Sequence, residues 1–255
     1  MLGPFGWLVL TSLKAPEEVA ALPVQWLPET FRWGNYSEAW SGVIDYLGYA
    51  RNSLIIAAIY SVLVTLSSAW AGYGFARLSA PGKKALFGLL LSTMMLPQMI
   101  TFIPTYLIFA RLNMLNTYWP WVLWGVVGAP YLIFLFRQFF AGMPRELEEA
   151  AIIDGCGYAH IFWRIFLPQS WPAIAASLVI SFAWSWGDYL APMMLLSSDR
   201  TTLAVALSTS FVNEQGLPIN NLMAAGAVIY VLPPLLLFLV AQRGFIAGIS
   251  TSGLK

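Results

Sequence analysis

The sequence predicts an all-α integral membrane protein, and three observations carry that expectation. Hydrophobic residues make up 59% of the 255 residues and charged residues only 10%, against roughly 25% charged in an average soluble domain. Mean hydropathy is +0.70. A soluble chain of this size could not cover its surface with so few charges. The charges also delimit five uncharged runs, at 52–76, 85–110, 112–136, 165–187 and 215–242. Each exceeds the roughly 20 residues that an α-helix needs to cross the hydrocarbon core. The runs lack the polar/apolar alternation over about 10 residues that marks a transmembrane β-strand.

The first apolar run, Leu2 to Leu13, is half the needed length. As a helix it reaches about 18 Å against about 30 Å of hydrocarbon. No Lys or Arg precedes it, as a signal peptide would require. A first helix that is short or truncated is expected here. The five long runs follow as full spans. Paired prolines (Pro97 and Pro104, Pro120 and Pro130, Pro168 and Pro172, Pro233 and Pro234) lie in or beside them and are expected to kink helices, a neighbouring helix satisfying the freed carbonyls. Alternate loops set the orientation. Arg77, Lys83, Lys84, Arg137, Arg145, Arg164, Arg243 and Lys255 form a set of eight cations. The other set holds five cations and eight of the twelve acids. The positive-inside rule puts the first set in the cytoplasm.

The same composition excludes several functions. A net charge of +1 offers no long-range field for a nucleic acid. One cysteine, Cys156, excludes a disulfide framework and a cysteine-built zinc site. One histidine, His160, removes most histidine-based catalysis and metal binding, so neither a metal nor a cofactor is expected. No G-x-x-x-x-G-K-[ST] phosphate loop occurs, so ATP would be bound by another polypeptide.

The most informative loop is 143–168, MPRELEEAAIIDGCGYAHIFWRIFLP. Pro144 suits a first helical turn. Glu146, Glu148 and Glu149 then fall near the positive end of a short helix. Gly155 and Gly157 break it. A second helix is expected from Tyr158, with Ile161, Phe162, Ile165 and Phe166 on one face, running into the fourth long apolar run, the fifth helix when the short first one is counted. Ala150 and Ala151 leave a low surface that a partner could approach closely.

The spacing Glu149-Ala150-Ala151, three residues, Gly155, nine residues, Ile165-x-Leu167-Pro168 resembles the EAA motif of ABC-importer permeases. All seven fixed positions match, a coincidence of about one in 10⁷ at average residue usage. Thr11-Ser12-Leu13-Lys14, Asn52-Ser53-Leu54, Pro97, Leu115-Asn116-Thr117, Arg137-Gln138-Phe139-Phe140 and Trp186-x-Asp188-Tyr189 are similar to the sugar-transport, maltose-type branch. Gly187 stands where many relatives have Asn, and the first helix is shorter than theirs. The resemblance implies a six-helix type I importer transmembrane domain over 1–255, with 143–168 as the loop that couples to an ATPase through Glu149, Ala150, Ala151, Asp154, Gly155, Ile165, Leu167 and Pro168. It implies a homologous second permease, a cytoplasmic ATPase dimer, an external solute-binding protein and a bacterial or archaeal cell membrane. The motif Glu would face a basic residue of the ATPase.

Substrate contacts are less marked. Trp and Tyr crowd membrane interfaces in any such protein, and Trp33, Tyr36, Trp40, Tyr118, Trp119 and Trp121 are read as anchors. Trp184, Trp186, Asp188 and Tyr189 close the fifth expected helix, the fourth long run, externally and are candidates to line a pathway. Gln98 and Asn221 are polar residues near apolar runs that could bond a hydroxyl or a neighbouring helix. The competing reading is an ion-coupled secondary transporter. That class places ionisable residues inside its helices, and the five runs contain none. A membrane-embedded enzyme would need a nucleophile–base pair or metal ligands at depth.

Overall fold

A computed structural model describes residues 3–41, 44–212 and 218–252. These residues are helical almost throughout, with a single antiparallel bridge from Val212 to Pro218. Three short helices open the chain: α1 Gly3–Ser12, α2 Pro16–Val19 and α3 Gly34–Ser41. Pro16 starts α2, and the Ala15 N–H donates to Glu18 Oε2 at 3.0 Å. The long helix α4 runs Tyr46–Arg77, 32 residues or about 48 Å, more than a bilayer core needs.

The next run is not one straight span. Helix α5, Lys83–Ser92, passes through a 3₁₀ turn, Thr93–Met95, and stops; α6, Gln98–Arg111, restarts beyond it. Their axes bend by 101°. The residue before a proline is pushed out of the helical region, and Leu96, before Pro97, is extended at φ −78°, ψ 120°. Helices α7, Trp119–Val127, and α8, Pro130–Ala141, form one span across Gly128.

The loop helices α9 Glu146–Ile153 and α10 Tyr158–Ile161 follow, then a π-helical turn Phe162–Phe166, α11 Leu167–Gln169 and α12 Trp171–Trp186. Pro168 has no N–H to return to the Arg164 carbonyl and its ring crowds that group. The backbone adopts the longer i→i+5 bond instead, with the Leu167 N–H reaching Phe162 O. Between α11 and α12 the axis turns by 80°. Helices α13 Leu190–Leu195, α14 Leu203–Thr209 and α15 Asn220–Ser252 complete the chain.

Two sequence expectations therefore change. Three helices, rather than five, are long and apolar enough to cross unbroken: Tyr46–Arg77, Trp119–Ala141 and Asn220–Gln242. The other two expected spans are bent pairs. The prolines mostly begin helices: Pro120, Pro130, Pro168 and Pro172 stand in first turns and Pro97 is an N-cap. Pro104, Pro233 and Pro234 are interior.

The residues group into two compact units, Met1–Ile55 with Trp186–Leu236, and Ile56–Ser185 with Leu237–Lys255. In the first, long-range polar contacts hold the helices. Tyr46 Oη donates to Gly226 O at 2.9 Å, Asn52 Nδ2 to Thr201 O at 3.2 Å, and the Leu203 N–H to Ser53 Oγ at 2.8 Å. Asn35 Nδ2 reaches the carbonyls of both Ser12 and Lys14 at 2.9 Å. The second unit packs closely through small residues, as expected where lipid removes the hydrophobic drive between helices. A Cβ on Gly72 would lie 2.6 Å from Phe136 Cβ, and one on Gly125 would lie 2.7 Å from Leu63 Cβ. Hydroxyls bridge helices of this unit as well: Thr65 of α4 with Ser177 of α12 at 2.8 Å, and Ser67 of α4 to Gly125 O of α7 at 2.6 Å.

Candidate functional site

The 143–168 loop folds as a helical hairpin whose turn has identifiable chemistry. Helix α9 carries Glu146, Glu148 and Glu149 in its first turn, where the helix dipole favours carboxylates. It ends at Asp154, the C-cap. Gly155 then takes φ +81°, the left-handed region that a Cβ disfavours. The Gly155 N–H bonds Ile152 O at 3.0 Å and the Cys156 N–H bonds Ala151 O at 2.9 Å. This is the Schellman pattern, in which two orphan carbonyls of the helix end are satisfied by the two residues after the cap. Ala151 and Cys156, the pair whose apolar contact often accompanies this motif, both belong to one core cluster.

That cluster anchors the hairpin. Ala151, Ile161, Phe162 and Phe166 are buried together with Ala69 and Tyr73 of α4, Phe136 and Phe140 of α8, and Ala173 of α12. Ile165 and Leu167 pack against it. Tyr73 sits at the centre, with ring centroids 5.1 Å from Phe166, 5.4 Å from Phe162 and 6.1 Å from Phe140. The motif thus divides. Ala151, Ile165 and Leu167 are held inward, whereas Glu149, Ala150, Asp154, Gly155 and Pro168 are exposed. Ile152 and Ile153 are exposed beside them, Ile153 at 85%. An apolar ridge flanked by carboxylates therefore stands free on the outer side of the hairpin.

A residue that sequence reasoning treated only as an orientation marker completes the site. Arg77, the last residue of α4, is buried beneath the hairpin with a side-chain exposure of 5%. Its Nε–H donates to Phe140 O at 3.1 Å, and Nη2 donates to the carbonyls of Phe140 and Met143. Nη1 lies 3.8 Å from Glu148 Oε2, and the guanidinium sits 5.0 Å from the centre of the Phe166 ring. A cavity of about 440 Å³ opens alongside, lined by Arg77, Lys83, Arg145, Glu148, Glu149 and Ile152 among others. A cation ending a charge-free run was the only sequence signal. The convergence on it of three separate segments has none.

Of the candidate pathway residues, Trp184 and Trp186 end α12, and Asp188 and Tyr189 precede α13. The Trp186 ring is buried and locked: its Nε1–H donates to Tyr230 O at 3.1 Å, the Tyr230 hydroxyl donates to Trp186 O at 2.7 Å, and the rings stack at 5.5 Å. Trp184 is half exposed and meets Tyr131 edge-on at 5.9 Å. Asp188 Oδ1 accepts the Ala191 N–H at 3.3 Å, so the carboxylate steadies the start of α13. Burial raises its pKa above the ordinary carboxylate range, and the backbone N–H groups of Ala191 and Leu190 oppose that rise. Tyr189 is half-buried. Asn221 is buried and donates to Asn35 Oδ1 at 3.3 Å, leaving its own Oδ1 without a partner among the described residues. The side chain of Gln98 lies outside the described residues, as does Glu214. Met94, Met95, Met193 and Met194 are exposed on this chain.

Comparison with known proteins agrees with this geometry. Residues 62–250 match the family model described as binding-protein-dependent transport system inner membrane component. The arabinooligosaccharides transport system permease protein AraQ of Bacillus subtilis (strain 168) is 32% identical over 100% of this chain and 90% of its own length. The sn-glycerol-3-phosphate transport system permease protein UgpE of Yersinia enterocolitica is 33% identical over 92% of this chain and 85% of its own. A crystal structure of a bacterial ABC transporter involved in the import of the acidic polysaccharide alginate aligns with a TM-score of 0.81 at 20% identity, covering 95% of this chain and 90% of that one; at that identity the likeness is one of fold. The chain belongs to the family of binding-protein-dependent transport system inner membrane components, and it is a permease subunit of an ABC importer.

Proposed function

We propose that residues 1–255 form one transmembrane permease domain that passes a sugar, or a similarly polar solute, inward from an external binding protein. The energy comes from ATP hydrolysed on a separate cytoplasmic ATPase pair, and a second, homologous permease completes the pathway. The observation that carries this reading is the hairpin. It has a rigid base in an aromatic cluster, a turn fixed by two backbone bonds, and a free outer ridge of Ala150, Ile152 and Ile153 beside Glu149 and Asp154. Such a surface offers a partner an apolar contact and negative charge at once, and Glu149 complements a basic residue there. The named solutes of AraQ and UgpE, a sugar oligomer and a polyol phosphate, support a polar solute class. The positive-inside count supports a cytoplasmic hairpin and an orientation in a bacterial or archaeal cell membrane.

The test is purification through a tag on this chain in mild detergent, then reconstitution in liposomes. An ATPase and a second permease should accompany it, and uptake of the solute should require ATP and the loaded binding protein. Uptake driven by an ion gradient, with no ATPase in the preparation, would defeat the proposal.

A further inference from the structure

The hairpin's covalent route into the membrane is not straight. It passes through the π turn at Phe162–Phe166 and then bends by 80° between α11 and α12. A second and shorter route exists without any covalent bond. Arg77 lies at the C-terminal end of α4 and donates to Phe140 O in the last turn of α8, where helix carbonyls lack intrahelical partners and the dipole favours a cation. The same guanidinium reaches Met143 O before the hairpin, pairs with Glu148 of α9, and covers Phe166 of the π turn. Only a planar fork with five donors meets so many groups at once; a lysine ammonium is a single point charge on a flexible stem.

We infer that Arg77 is a positioning residue for energy coupling. It ties the ATPase-docking hairpin to α4 and α8, so that hairpin movement shifts these spans as well as α12. This rests on the hairpin being the docking element. Tyr73, one turn earlier on α4, presents the same face of the helix to Phe162 and Phe166, which makes the tie a packed strut as well as a polar one.

The experiment uses the purified, reconstituted importer. In Arg77→Met/Glu148→Gln both charges go together, so no unpaired ion is left buried. The complex should retain its subunit stoichiometry and basal ATP hydrolysis. The stimulation of hydrolysis by loaded binding protein should fall by roughly 2- to 30-fold, the range for residues that carry coupling, and uptake per ATP should fall with it. Arg77→Lys keeps the charge and should give an intermediate stimulation ratio; it also serves if the double variant does not assemble. A merely structural role would lower yield or melting temperature and leave the ratio unchanged in the assembled complex. A wild-type ratio in assembled Arg77→Lys or in the double variant overturns the inference. If Glu149→Lys lowers the ratio while both Arg77 variants do not, only the strut is wrong. If Glu149→Lys leaves docking and ratio intact too, the hairpin reading fails with it.

Discussion

Gly155 offers a perturbation whose size can be worked from the structure. At φ +81° it holds the turn of the hairpin, and a Cβ built there meets nothing within 4 Å. Steric collision with the described residues is therefore absent, and the cost of Gly155→Ala is conformational, about 1–2 kcal/mol for a left-handed residue with a Cβ. Asparagine tolerates that region better, so Gly155→Asn should cost less, and a β-branched Gly155→Val more. If the turn must be closed for docking, about 1.4 kcal/mol of strain is tenfold in the closing equilibrium and removes about four-fifths of the closed population of a balanced turn, whereas a turn that is strongly closed in the wild type loses less. The order Gly, Asn, Ala, Val should appear in the apparent affinity of the permease for its ATPase and in substrate-stimulated hydrolysis. Gly155→Leu adds bulk on the open side and should impair docking beyond its backbone cost. The assay is ATPase binding and stimulated hydrolysis in nanodiscs at fixed lipid composition. Val and Ala variants that bind and respond as the glycine does would refute the claim that this turn conformation matters.

Other outcomes follow from single residues. Ser198 is exposed in the segment after α13, and Ser198→Cys should react with a membrane-impermeant thiol reagent added to whole cells; reaction only after lysis reverses the topology. Asn35 spends both amide hydrogens on the carbonyls of Ser12 and Lys14, so Asn35→Ala should destabilise by about 1–3 kcal/mol, read as a lower melting temperature in detergent, and an unchanged melting temperature counts against these bonds. For Asp188, burial raises the folded pKa. A raised carboxyl contributes stability that is fully present below its unfolded value and is lost as pH rises through the folded value. Asp188→Asn keeps an acceptor for the Ala191 N–H, so its melting temperature should gain on the wild type as pH climbs above the ordinary carboxylate pKa of about 4. A gain that shrinks with rising pH means burial is not the controlling cause.

Much of the architecture was legible because it is written in what the chain omits. Runs without charge longer than a bilayer core have few folded alternatives, and the seven fixed positions of the hairpin motif carried its helix, turn and helix directly. What was not legible depends on neighbours distant in sequence. Leu96 could have been suspected of breaking its run, since it precedes Pro97, but a proline inside an apolar run also fits a continuous helix, as Pro233 and Pro234 show. The end-of-helix position of Asp188 is visible in the sequence, whereas its bond to the Ala191 N–H is not. The pairing of Trp186 with Tyr230, 44 residues on, has no sequence signal either. Arg77 is the plainest case. Its position at the end of a span is an ordinary one for an anchoring cation, and only folding brings Phe140, Met143, Glu148 and Phe166 around it.

The central proposal is that the free ridge of the hairpin is where the ATPase engages. Ala150 is exposed there and carries no polar role of its own. In a Cys156→Ser background, Ala150→Cys can be labelled with a short thiol-directed photo-crosslinker and irradiated in the assembled importer. The expected result is an adduct between this chain and the ATPase subunit, accompanied by loss of substrate-stimulated hydrolysis in the cross-linked fraction. A complex that transports normally after labelling and yields no ATPase adduct on irradiation would contradict it.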